Sequence, residues 1–363
     1  MRLDPAGVPL LNLGRRAISA RCLLAAGSGL ALLLAAGCSS SGSPGGAVSG
    51  TVVIAAEPSV SDAAIYLAQK DGLFAAEGLD HVSIEREPNQ GAVMNALKSG
   101  NADIAASDYG EIFMTQAQST QSHDLRILAD GYDATAGSLE ILTYPGSTIQ
   151  NPRDLTPQSG GSVEVGVPND DLLPNASALT KAGDPTSLDV AAAEEVLGNF
   201  VGNADESVKW QPMSQQQEVS ELAAHQLKAI LVSEPYIYQA ESKLGAVEVL
   251  DACSGETAGL PLLGYVAQSS WVSQNSSAVA DFQAAIAKAQ ADASLAGMVQ
   301  PVLRSDAGMS VQDSDLITIG TYPTSTSVQS LESVVLLMHG ERMIPTGDLT
   351  KVSVPPMVVK SQS

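Results

Sequence analysis

Positive charge is scarce in this chain. Eighteen lysines and arginines stand against 40 aspartates and glutamates among 363 residues, a formal charge of −22. Four of the arginines (Arg2, Arg15, Arg16, Arg21) lie in the first 37 residues beside one aspartate, Asp4, so a chain starting at Cys38 would carry −25. Nucleic acid is excluded as a partner, because phosphate neutralisation needs Lys and Arg clustered on one face. Cysteine is rarer still. Cys22, Cys38 and Cys253 form neither a disulfide framework nor a metal-type pair. The four histidines, His81, His123, His225 and His339, are dispersed without a ligand-spaced partner, which argues against zinc. No GxSxG elbow follows the leader, and no cofactor is expected. Aromatic residues make up only 4% of the chain, so each tyrosine at a loop carries weight.

What is present begins with an export leader. Residues 22–36 form an apolar run interrupted by Gly27, Ser28 and Gly29, too short to span a bilayer and typical of a signal-peptide core. It ends in Leu34-Ala35-Ala36-Gly37-Cys38, which resembles a bacterial lipobox, with Cys38 the acylated new N-terminus. Two acyl chains, at about 0.8 kcal/mol per buried CH₂, anchor a protein where one is marginal. An ordinary secretory signal cleaved elsewhere is the alternative. Arg15-Arg16 leaves the Sec and twin-arginine routes both open. Residues 38–50 then read as a Ser/Gly tether holding the folded part off the membrane.

The remaining length suits two lobes with separate cores. Residues 91–113 set the pattern. Val93, Ala96 and Leu97 share one helical face, Gly100-Asn101 turns the chain, and Ile104-Ala105-Ala106 reads as a buried strand ending in Ser107-Asp108-Tyr109-Gly110. The same grammar returns at residues 217–240, where Val219, Leu222 and Ala223 lead into Leu227-Lys228-Ala229-Ile230-Leu231-Val232 and a break at Ser233-Glu234-Pro235-Tyr236. Ligands of open α/β sheets bind beyond the carboxyl ends of strands, where helix N-termini offer unpaired N–H groups, so the two stretches read as opposite walls of a cleft. Buried strands alternating with helices point to parallel sheets covered on both faces.

Ahead of these walls, TVVIAA, the loop Glu57 to Asp62, a helix with Ile65 and Leu67 inward, GLFAAEGLD and a strand over residues 81–86 follow in order. With Ala96-Leu97-Lys98-Ser99-Gly100-Asn101-Ala102-Asp103-Ile104, Glu234-Pro235 and Gly264-Tyr265, this order resembles the solute-binding proteins of nitrate, sulfonate and taurine ABC importers, a group that includes binders of thiamine pyrimidine precursors. The resemblance spans most of residues 51–345. It implies a type II periplasmic binding protein, two α/β lobes joined by a two-segment hinge with the ligand between them. It implies lobe I over residues 51–137, lobe II over 138–257, and a return to lobe I with a tail over 258–363. The first crossing is expected within residues 125–143 and the return near 260–268, with closure as a hinge motion. A strand is expected over 162–167, helices from about 174 to 181 and 189 to 200, and a strand at 208–211. The helices carrying Phe282, Ile286 and Ala289, and Leu331, Val335 and Met338, are expected to pack back on the first lobe.

The strand-end loops nominate fifteen ligand-binding candidates: Glu57, Ser59, Ser61, Gln90, Ser107, Asp108, Tyr109, Tyr132, Asp133, Asn169, Asp170, Gln215, Glu234, Tyr236 and Tyr265. Asp108 and Asp170 serve equally as helix caps, Glu234 as a hinge brace, and each tyrosine as core. A helix N-terminus favours an anion by about 0.3 to 1 kcal/mol, up to about 2 when partly buried. A carboxylate roughly 5 Å from that anion opposes it by about 3 kcal/mol at an effective dielectric of 20. Five acids and no base stand in the nominated loops. The expected ligand is therefore a neutral or cationic, nitrogen-containing ring, a pyrimidine-type precursor being one example, held by tyrosines and carboxylates. A sulfonate, taurine or nitrate binder, a surface sensor and an enzyme on the same fold are the alternatives. The expected protein is a monomeric, non-enzymatic, lipid-anchored extracytoplasmic receptor whose partners are its small-molecule ligand, the membrane through acylated Cys38, and an ABC permease.

Overall fold

The computed structural model describes residues 50–120, 124–156, 162–168, 187–201, 208–295 and 297–361. The leader, Cys38, nearly all of the tether, Asn169, Asp170 and the helix expected near residues 174–181 lie outside them. No helix among the described residues is long and apolar enough to cross a membrane.

Among the described residues, ten strands make two five-stranded sheets. The first holds β1 (Val52–Ala56), β2 (Val82–Arg86), β3 (Ile104–Asp108) and β4 (Leu125–Asp133). The second holds β5 (Leu139–Thr143), β6 (Val163–Pro168), β7 (Val208–Met213), β8 (Ala229–Ser233) and β9 (Val247–Asp251). The chain then returns to the first sheet as β10 (Pro261–Gln268). Their orders are β2-β1-β3-β10-β4 and β7-β6-β8-β5-β9, the plan of a type II periplasmic binding protein.

The sheets are mixed, not parallel throughout as the alternation of strands and helices suggested. β10 runs antiparallel to β3 and β4, and β5 antiparallel to β8 and β9. Each is the first strand after a crossing. Such a strand enters its lobe at the cleft and runs away from it, whereas β1, β3, β6 and β8 run toward it. Leu139 at the start of β5 and Leu262 and Leu263 early in β10 accordingly line the cleft beside residues from the ends of the other strands.

Packing separates the two C-terminal helices that looked alike in sequence. The helix Ser276–Ala293 buries Phe282, Ile286 and Ala289 against Ile54, Ile65 and Leu67 of the first lobe, as expected. The helix Val328–Gly340 does not belong to the first lobe alone. Its Leu331, Val334 and Met338 join one cluster with Ile112 and Phe113 of the first lobe and Val165, Leu197 and Leu231 of the second. This helix packs on both the helix Tyr109–Gln118 and the helix Leu188–Val201. The lobes thus share a continuous apolar core on one side of the hinge, and a separate cluster around Leu222, Ile230 and Ile237 supports the far part of the second lobe.

Candidate functional site

A cleft of about 250 Å³ lies where the strand ends of the two lobes converge. The two walls are built alike. In the first lobe, Asn89 caps the helix Gln90–Ser99 by accepting from Ala92 N at 2.9 Å, and Gln90 Oε1 accepts from Asp108 N at the end of β3, 3.1 Å away. In the second lobe, Ser214 caps the helix Gln215–Ala223, and Gln215 Oε1 accepts from Ser233 N at the end of β8, 2.9 Å away. Both bonds join residues 18 apart in sequence. A strand end is a buried backbone terminus that must find partners, and in each lobe the first side chain of the preceding helix supplies one. Gln90 Nε2 donates to Glu57 Oε2 at 3.1 Å. Gln215 Nε2 has no protein partner among the described residues, and Gln215 lines the cleft.

Nine of the nominated residues line this cleft: Glu57, Ser59, Ser61, Gln90, Asp108, Tyr132, Gln215, Glu234 and Tyr236. Four others lie elsewhere. Tyr109 is fully buried, stacks on Phe113 and donates from its hydroxyl to Asp130 Oδ1 at 2.9 Å. It lies so close over β10 that a Cβ on Gly264 would stand 2.6 Å from its hydroxyl oxygen. Tyr265 faces the core beneath the helix Ser276–Ala293, edge-on to Phe282. Ser107 is fully buried inside β3. Asp133 ends β4, and its backbone pairs with Thr321 instead of opening to the cleft. For the strand residues Ser107, Asp133 and Tyr265 the side-chain alternation decides: one residue along, the chain points to the other face.

Of the two tyrosines that remain, Tyr132 is anchored. Its hydroxyl accepts from Gly320 N at 2.6 Å and its ring meets Tyr322 edge-on. An aromatic box of four tyrosines is therefore not present. Glu234 has both oxygens engaged, Oε2 accepting from Tyr238 N at 3.1 Å and Oε1 from Thr318 N at 2.9 Å. It braces the end of β8 against the segment 307–318, which reaches over from the first lobe and contributes Ala307, Met309 and Thr318 to the lining. Gln312 Nε2 adds a second tie by donating to Tyr238 Oη at 2.9 Å.

Among the described residues the lining contains Glu57, Asp108, Asp189 and Glu234 and no Lys, Arg or His. Asp108 caps the helix Tyr109–Gln118, its Oδ1 accepting from Glu111 N at 2.9 Å, while its Oδ2 is buried without a partner among the described residues. Burial pushes its carboxyl up to about 7, with the charge of Asp189 adding to the shift. Asp189, pushed up to about 6 by burial, was not among the nominated residues. Its signal was available as an acid in the first turn of a second-lobe helix. Beneath the lining, Asp62 is fully buried, accepts from Ser59 Oγ at 2.7 Å, and keeps Oδ1 unpartnered. Burial raises its carboxyl well above the usual range, and Glu57 and Asp108 raise it further. No group of three or more His, Cys, Asp or Glu among the described residues is arranged to hold a metal.

Comparison with known proteins agrees with this architecture. Residues 60–173 match the family model described as NMT1/THI5 like, so the resemblance read in the sequence stands. No curated protein matches the sequence. Among solved structures, the alkanesulfonate-binding protein SsuA from Xanthomonas axonopodis pv. citri is 14% identical, with a TM-score of 0.66 over 88% of this chain and 100% of that one. The ligand binding component of an ABC-type import system from Staphylococcus aureus is 15% identical, with a TM-score of 0.63 over 86% and 96% of the two chains. The periplasmic nitrate-binding protein NrtA from Synechocystis PCC 6803 is 15% identical, with a TM-score of 0.61 over 85% and 86%. At these identities the likeness is one of fold.

Proposed function

We propose that this chain is the lipid-anchored, extracytoplasmic solute-binding component of an ABC importer, closing as a monomer on a small nitrogen-bearing molecule that is neutral or cationic. The fold and the import system of the Staphylococcus aureus relative support the transport role. The lipobox-like stretch ending at Cys38 supports the anchor. The observation that carries the ligand class is the lining itself, four carboxylic acids and no base among the described residues around about 250 Å³. An anion there would meet uncompensated acids in a partly dry space, at about 3 kcal/mol for each ionised carboxylate roughly 5 Å away. The volume, below the usual few hundred Å³ of drug-sized pockets, suits one ring or a short chain.

The reading is of binding without turnover. Among the described residues no histidine lines the cleft, and Cys253 is buried behind Asp189 and is not part of the lining, its thiol raised by burial and by Asp189 and Asp251. A ligand present at 100 times its Kd should stabilise the protein by about 2.7 kcal/mol. Isothermal titration against amines, pyrimidines, taurine and nitrate, with thermal unfolding and small-angle scattering of the purified protein, tests the reading. Tight binding of taurine or nitrate with amines and pyrimidines inert would overturn the ligand class, and turnover of a bound compound would overturn the receptor role.

A further inference from the structure

We infer that Asp108 and Asp189 form a cation clamp between the lobes, so that the solute carries an ammonium or amidinium group whose N–H bonds tie the two carboxyls together on closure. The inference rests on the receptor reading above and narrows its ligand to the positively charged class.

The geometry starts at Gly110, in the first turn of the helix Tyr109–Gln118. A Cβ there would stand 3.1 Å from Leu188 Cβ and 3.3 Å from Leu188 N, so this helix start in the first lobe touches the first residue of the helix Leu188–Val201 in the second. Two helix N-termini converging on a cleft would ordinarily make an anion site. Here each brings an acid instead, Asp108 as cap and Asp189 in the first turn. Asp108 spends one oxygen on its own helix and keeps Oδ2 buried at the lining, with no partner among the described residues. The fully buried Asp62, with its unpartnered Oδ1, backs the same corner.

A buried carboxyl oxygen without a donor is costly and calls for a partner. Neutralisation by a proton is one answer, and the raised Asp108 and Asp189 carboxyls are consistent with it. A ligand N–H with positive charge is the better answer, because it satisfies both acids and removes their repulsion in one contact. It also couples binding to closure, since the second carboxyl adds affinity only when the lobes are together. Gln215 Nε2, on the facing wall, adds a donor for an acceptor atom elsewhere on the solute.

Cation binding must displace whatever proton the pair holds, so affinity should rise with pH through about 6 to 7. Among the described residues, the charged and titratable groups around the pair are Glu57 and Asp62 beyond β1, Glu111 on Asp108's own helix, Lys98 acting on Glu111, and Cys253 beside Asp189. The one cation among them, Lys98, acts on Glu111 and does not line the cleft, so it does not compete with the ligand there.

The test measures binding of a panel of benzamidine, agmatine, choline, cytosine, taurine and nitrate to the full protein at pH 6 and pH 8. Asp108→Asn and Asp189→Asn are compared with the unsubstituted chain; Asn keeps the helix cap. The inference expects at least one cationic probe to bind, more tightly at pH 8, and each substitution to weaken it about tenfold or more. A cation bound equally well by both variants would overturn the clamp while leaving the receptor reading intact. Binding of only a neutral or anionic probe, with compaction of the protein in scattering, would likewise overturn the clamp and spare the receptor reading. If no probe binds at all, the clamp and the receptor reading fall together.

Discussion

A methyl group at Gly110 would lie 2.8 Å from Asp108 Oδ1 within its own lobe and 3.1 Å from Leu188 Cβ in the other. Alanine is the better helix former by about 1 kcal/mol, so helix propensity alone favours Gly110→Ala. Overpacking a close contact costs about 1 to 3 kcal/mol, and opening the lobes would relieve only the Leu188 part. The expected result is a lowered Tm together with a larger radius of gyration. An unchanged Tm with unchanged dimensions would mean the two helix starts are not in firm contact. The same kind of close approach explains why tyrosines misled the sequence reading. Tyr109 follows a strand end and so looked like a cleft residue, but its ring lies over Gly264 and its hydroxyl is satisfied by Asp130. Glycine's lack of a side chain made that room, and nothing near Tyr109 in sequence announces a glycine more than 150 residues away.

At the scale of elements, the two walls were legible because each is a local unit. A helix, a glycine or polar turn, a short apolar strand and a polar break recur at residues 90–110 and 215–236, and the Gln90 and Gln215 bonds tie each helix start to the strand 18 residues on. What local pattern does not carry is strand direction. A buried strand reads the same whether it runs toward the cleft or away, so the antiparallel placement of β5 and β10 follows only from the crossings. The bridging role of the helix Val328–Gly340 was hidden for a related reason: its apolar stripe shows that a face is buried, not which lobe buries it. Two substitutions separate structure from recognition in the Gln215 unit. Gln215→Leu leaves Ser233 N without its acceptor and should cost about 1 to 3 kcal/mol in thermal or urea unfolding. Gln215→Glu keeps an acceptor for Ser233 N but removes the Nε2 donor, so it should hold stability closer to the parent while altering solute affinity. Equal destabilisation by both would mean the bond to Ser233 is not what Gln215 contributes.

Over the whole molecule, acid is stored out of water. Burial pushes Glu111 up to about 9, Asp130 to about 8 and Glu140 to about 8, with neighbouring carboxylates adding to each. Each of these groups holds its proton more tightly folded than unfolded, where it titrates near 4. The stabilisation they give is complete below that unfolded value and is lost as pH rises through the folded ones. Tm should therefore fall between pH 5 and pH 9, and a formal charge of −22 adds self-repulsion in the same direction. Added salt should recover the self-repulsion and little of the buried part, because buried charges are screened far less than exposed ones. A Tm that rises steadily over this range would contradict the burial of these three acids. The stability trend and the binding trend then have opposite signs. Raising the pH weakens the fold through Glu111, Asp130 and Glu140 but strengthens cation binding through Asp108 and Asp189, so the Tm increment from a bound cation should grow as the ligand-free Tm falls. In a chain carrying both Asp108→Asn and Asp189→Asn, the pH dependence of binding should vanish and most of the pH dependence of Tm should survive, since its main sources lie behind the cleft and not in it.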